Sequence, residues 1–230
     1  MKTIGLIGGM SWESSAEYYR MINRHSKALH GGHHNAKSVL VTVDFAEIEA
    51  LQRTQHWAAL GERMADAARQ LEAAGADLVV LTTNTMHRVH DAIEAAVALP
   101  FLHIADPTGA ALRAAGVERV ALLGTRYTME LPFYAERLRD RFGLDVLVPD
   151  EAARGDVHRI IYDELCHGVI DAGSRATYVA IIDELAKRGA QAVILGCTEI
   201  TLLIGADDSP LPVFDTTALH AKAAVEWAAC

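Results

Sequence analysis

The sequence predicts an α/β fold: two similar parallel-sheet α/β domains related by a pseudo-twofold axis, with the active site in the cleft between them. Three observations predict it. Short Val/Ile/Leu runs alternate with Ala-rich stretches of helical period, the signature of βα units in a parallel sheet. The series occurs twice: residues 75–85 read against 189–199 at a constant offset of 114, 4–8 against 120–124 at 116, and 99–102 against 211–214 at 112. Small polar residues follow several of the apolar runs, and ligands of open α/β sheets bind beyond the carboxyl ends of the strands.

Taken in order, strands are expected at 3–8, 38–43, 78–82 and 101–104 in the first half, then at 119–123, 145–148, 192–195 and 213–215 in the second. These are short runs rich in Val, Ile and Leu, as strands buried on both faces require. The helical stretch 58–74 ends at Gly75, and its counterpart 175–188 ends at Gly189, the residue that most readily closes a helix. Residues 160–167 also read as helical. No Ser/Pro-rich linker separates the halves, so the chain is expected to cross at strand ends. The first domain is then 1–104 plus 216–230 and the second 105–215, with a last helix over 217–229 packing back on the first half.

Composition excludes several classes. The 230 residues are 51% hydrophobic and 22% charged, with a net charge of −9. Such a balance argues against nucleic acid or an anionic membrane surface as a partner. No apolar run reaches the ~20 residues of a membrane span, and the apolar stretch at the N-terminus is too short for a signal peptide. Cys166, Cys197 and Cys230 show no CxxC spacing, which fits a reducing cytoplasm better than a disulfide or zinc scaffold. His30, His33 and His34 lack an acidic or cysteine partner at ligand spacing and read as a loop, so no metal is expected. Gly5 to Gly9 lacks the full GxGxxG spacing of a dinucleotide loop, and none of the five lysines stands at a strand end where a pyridoxal Schiff base would form. No cofactor is expected.

The strand-end loops carry Met10-Ser11, Thr83-Asn84-Thr85, Thr125 and Cys197-Thr198. If the halves face each other about a twofold, Thr83 and Cys197 become equivalent positions on opposite walls of one cleft. One proton-handling group on each wall suits chemistry that removes a proton from one face of a carbon and returns it on the other. Cys197 is the only cysteine at such a junction; backbone N–H groups at a helix start would lower its pKa and favour thiolate. The competing reading is a small buried apolar residue, against which the flanking Gly196 and polar Thr198-Glu199 speak. Asn84, Thr85, Thr125 and Thr198, with Ser11 and the backbone at Met10, are candidates to hold a developing negative charge, a role compatible with helix capping. His87 and His90 share a helix face, and His87 reads equally as an orienting or a structural residue.

Thr83-Asn84-Thr85-Met86-His87, Gly196-Cys197-Thr198-Glu199 and the Gly8-Gly9-Met10 opening together resemble the aspartate/glutamate racemase family over essentially the whole chain. The resemblance implies cofactor-independent racemisation of a small-molecule acidic amino acid between two cysteines, one per half, commonly in a homodimer. This chain departs from the pattern at Thr83, where the family has its first cysteine. By resemblance Cys197 takes the Cα proton of the L-isomer; a threonine hydroxyl is a poor base, yet it can return or relay a proton, so L-to-D turnover would be favoured kinetically. The resemblance places 44–53 on a site-facing loop, making Gln52 or Arg53 a partner for the substrate side chain, with Arg126, just after Thr125, as another choice. Glu164 reads as a solvated helix face ahead of a contact for the ammonium. Alternatives remain open: a broad-specificity amino-acid racemase, a single-cysteine decarboxylase or cis-trans isomerase of the same superfamily, or a non-catalytic amino-acid-binding protein.

Overall fold

The computed structural model describes all 230 residues, which divide into two compact units: Met1–Ile104 with His220–Cys230, and Ala105–Leu219. The first unit runs β1 (Ile4–Gly8), α1 (Trp12–His30), β2 (Ser38–Thr42), α2 (Phe45–Arg53), α3 (Trp57–Ala73), β3 (Leu78–Leu81), a 3₁₀ turn (Thr85–Val89), α4 (His90–Ala96) and β4 (Phe101–Leu102). Its four strands are parallel in the order β2-β1-β3-β4. The central strands β1 and β3 are buried at every residue. Their side chains alternate between faces: Ile7, Val79 and Leu81 pack with Leu60, Met64 and Leu71 of α3, while Ile4, Leu6 and Val80 pack with Tyr18 and Ile22 of α1.

The second unit repeats the plan. It runs α5 (Ala105–Ala114), β5 (Arg119–Gly124), α6 (Arg126–Glu130), α7 (Pro132–Phe142), β6 (Asp145–Leu147), α8 (Glu151–Arg159), α9 (Ala172–Lys187), β7 (Ala192–Gly196), α10 (Ile200–Leu203), β8 (Val213–Asp215) and the start of α11 (Thr216–Ala229). The parallel order is β6-β5-β7-β8, so each strand has the neighbours of its counterpart in the first unit. Val193 and Leu195 bury one face of the sheet against Tyr178, Ile182 and Leu185 of α9. The stops after α3 and α9 are alike too: Gly75 at φ +82° and Gly189 at φ +94° lie in the left-handed region that favours glycine.

The last helix returns to the first unit, where Ala221, Ala224, Val225 and Ala228 are buried beside Ile4 and Leu6, and Lys2 N donates to the Ala228 carbonyl at 2.8 Å. Two expected elements differ. The strand foreseen at 101–104 stops at Leu102, because Ile104 N donates to the His87 ring and leaves the ladder. The helix foreseen over 160–167 widens into a π turn at Ile160–Glu164 and tightens to 3₁₀ at Leu165–His167. There the Glu164 carboxylate is held by Ser174 Oγ at 2.5 Å and Arg159 at 2.8 Å, hydrogen bonds that lower its pKa. Glu164 is thus engaged inside the second unit rather than free to meet a ligand. No helix is long and apolar enough to cross a membrane.

Candidate active site

In the first unit, adjacency of β1 and β3 brings their carboxyl ends together. After β1 the chain passes Gly8 and Gly9 into Ser11, whose hydroxyl accepts from Ser14 N at 3.2 Å and caps α1. Gly8 is required by close approach: a Cβ there would lie 2.5 Å from Ser15 Oγ. Ser15 Oγ accepts from Gly9 N at 2.8 Å and meets Thr82 Oγ1 at 3.3 Å, while Ser14 Oγ donates to the Thr82 carbonyl at 3.0 Å. These serine bonds join the two turns that carry Met10, Ser11, Thr83, Asn84 and Thr85. Of those five, only Thr83 is more than marginally exposed. Gln52 joins the group from the end of α2: it is 3% exposed and its Nε2 lies 3.2 Å from Met86 Sδ. Arg53, by contrast, is exposed and pairs with Glu49 on its own helix.

In the second unit the register pairs Gly124 with Gly196, which sets Thr125 beside Cys197. Thr125 caps α6, its hydroxyl accepting from Thr128 N at 3.3 Å. Capping is therefore realised at Ser11 and Thr125. Arg126 is exposed, with its backbone N–H directed to His158 Nδ1 at 3.3 Å. Thr198 Oγ1 meets Thr217 Oγ1, at the start of α11, at 2.8 Å. A tight turn after β7, with Ile200 N donating to the Cys197 carbonyl, folds the Glu199 side chain back on the cysteine.

That fold-back corrects the expected state of Cys197. The half-buried thiol donates to Glu199 Oε2 at 2.8 Å, and Glu199 is 6% exposed. Burial first, then the negative charge of Glu199, push the thiol well above its ordinary value; the N–H of Glu199 acts the other way and is outweighed. The resting group is a thiol paired with a carboxylate, not a thiolate at a helix start. In the sequence alone Glu199 reads only as a polar flank of Cys197. Its signal was the Cys-Thr-Glu spacing, whose meaning depends on a turn that places positions two apart in contact.

Each unit thus carries, just beyond its third strand, β3 or β7, a partly exposed proton-bearing side chain, Thr83 or Cys197, set among small hydroxyl and amide groups. The doubled four-strand α/β plan defines the class, and it is shared by solved structures of similar size. A Yersinia pestis protein, provisionally described as an Asp/Glu racemase, is 53% identical with TM-score 0.94, the match covering 100% of both chains. An aspartate racemase homologue from Pyrococcus horikoshii OT3 is 32% identical with TM-score 0.87, again over 100% of both. The broad specificity amino-acid racemase RacX of Bacillus subtilis (strain 168) is 26% identical over 165 residues, covering 70% of this chain and 68% of that protein. The model of the Asp/Glu/hydantoin racemase family matches residues 7–224, and the chain belongs to that family.

Proposed function

We propose that this protein is a pyridoxal-independent racemase of aspartate or glutamate, with Cys197 and Thr83 addressing opposite faces of the substrate Cα. The observation that carries the reading is the equivalence of the two positions. They follow the third strand of two sheets with the same strand order, and both side chains are partly exposed among buried neighbours.

Cys197 takes the Cα proton of the L-isomer. Its thiol must first lose a proton, and Glu199, already accepting that proton at 2.8 Å, is the acceptor within reach. The thiolate then removes the Cα proton, leaving an enediolate on the α-carboxylate. To backbone N–H groups and the hydroxyls of Ser11, Thr85, Thr125 and Thr198, with the Asn84 amide, the proposal assigns the holding of that charge. Thr83 returns a proton from the opposite face to give the D-isomer; its hydroxyl then regains a proton from solvent water while Glu199 gives up to solvent the proton it took from the thiol, which resets both groups. Started from the D-isomer, Thr83 would have to act as base, which an alcohol does poorly near neutral pH. Enantiomers have an equilibrium constant of unity, so kcat/KM must be equal in the two directions. The bias towards L-to-D turnover therefore appears in kcat and is offset in KM.

Similarity to RacX supports a second reading of substrate range, in which neutral amino acids are also turned over. Chiral chromatography of L- and D-aspartate, glutamate and a panel of neutral amino acids after incubation tests both. Interconversion of the acidic pair that disappears in Cys197→Ser supports the main reading. Interconversion of neutral substrates alone favours the second, and no interconversion of any amino acid sinks both.

A further inference from the structure

Behind the turn that carries Thr83 lies a histidine to which the reaction assigns no step. His87 is fully buried in the 3₁₀ turn, and both of its ring nitrogens have defined roles. Nε2 lies 3.1 Å from Ile104 N, a group that can only donate, so Nε2 presents its lone pair. Nδ1 lies 2.8 Å from the Thr83 carbonyl oxygen, which can only accept, so the ring proton sits on Nδ1. The imidazole is neutral in one tautomer, and a proton added at Nε2 would cost the bond to Ile104.

The two backbone groups that it joins are not ordinary ladder positions. Strand β3 ends at Leu81, so the Thr83 carbonyl lies beyond the sheet. Ile104 is the last residue of the first unit before the chain leaves it. Where the chain re-enters, His220 is fastened in the same manner: Nε2 donates to the Leu102 carbonyl at 2.9 Å and Nδ1 accepts from Tyr18 OH at 2.9 Å. The rings pack together, with centroids 4.6 Å apart for His87 and His103 and 5.8 Å for His87 and His220.

We propose that His87 is a positioning residue for Thr83, a rigid bracket that holds the Thr83 main chain through Nδ1–H and ties it through Nε2 to the chain crossing at Ile104. This role rests on the reading of Thr83 as the group that returns the proton. The bracket fixes the Thr83 carbonyl and so the direction of its Cα–Cβ bond, which aims the hydroxyl. It also couples displacement of the crossing segment to the site turn, because a planar ring hydrogen-bonded at both ends cannot absorb movement at one end alone.

Two substitutions separate the halves of the bracket. His87→Asn keeps an N–H near the position of Nδ1 and loses the acceptor for Ile104; His87→Gln keeps an acceptor near Nε2 and loses the donor to Thr83. Their rates are read in heavy water on L-aspartate or L-glutamate, whichever the wild type turns over, as D-isomer appearance and as deuterium entry into recovered L-isomer. The latter reports Cys197 alone. His87→Gln is expected to slow D-isomer appearance by about tenfold or more while exchange into the L-isomer stays near the wild-type rate, and His87→Asn is expected to restore most of the loss. Equal loss of both rates, or the same behaviour in both variants, overturns the proposal. Thr83→Ala, run alongside, identifies failure of the underlying reading: if it leaves D-isomer appearance unchanged, there is no proton donor to position. Should the variants fold poorly, or the wild type turn over neither substrate, the ¹H–¹⁵N imidazole spectrum of the wild type decides. A Nδ1–H tautomer at His87 is expected, and a proton on Nε2 overturns the bracket.

Discussion

At the scale of single residues, the proposed reaction turns on the Cys197–Glu199 contact. Burial and then the charge of Glu199 raise the thiol, and Glu199 at the same time offers the site to which its proton can go. Replacing Glu199 by Gln removes the negative charge, so the thiol falls towards its ordinary value and alkylation by iodoacetamide shifts to lower pH. Racemisation should fall by about tenfold or more in the same variant, since the proton acceptor has gone. Faster alkylation with slower turnover is the diagnostic pair; an unchanged alkylation profile would mean that Glu199 does not govern the thiol. Thr83→Cys supplies a second thiol at the position to which the proposal assigns the returning proton, and should raise kcat on the D-isomer. No gain on the D-isomer would count against Thr83 as the weak partner.

At the scale of elements, packing fixes where the site loops begin. Gly109 of α5 lies against the Phe142 ring at the end of α7, and an added Cβ would sit 2.4 Å from it. Gly109→Ala is expected to cost about 1–3 kcal/mol, read as a lowered melting temperature, because neither helix can move without disturbing the other. An unchanged melting temperature would show that Phe142 swings aside freely. Strands and helices of this kind were legible in the sequence: the runs at 78–82 and 192–195 are continuous and apolar, and Gly75 and Gly189 mark the helix stops. What stayed hidden depends on contacts distant in sequence. His87 reaches Ile104 across 17 positions where β4 stops, and Ser174 binds Glu164 where the helix passes from a π to a 3₁₀ turn.

At the scale of the whole molecule, the duplication was readable as a near-constant offset, and the identical order of the two sheets is its structural form. The state of the site was less readable. Thr83 and Cys197 could be paired by register alone, but whether Cys197 rests as thiol or thiolate depends on burial and on a carboxylate whose direction only the folded turn sets. If the chemistry needs nothing beyond the chain's own residues, hydroxylamine and EDTA should leave racemisation unchanged after dialysis. Loss of activity with hydroxylamine would point to a carbonyl cofactor.

The central claim, that Cys197 and Thr83 work on opposite faces of one carbon, is tested most directly by NMR of Cα-proton exchange in heavy water with L- and D-aspartate and glutamate. The predicted result is deuterium entering the L-isomer together with slow appearance of deuterated D-isomer, and much slower exchange in the D-isomer under saturation. Exchange of neither isomer, or exchange that survives Cys197→Ser, would contradict it.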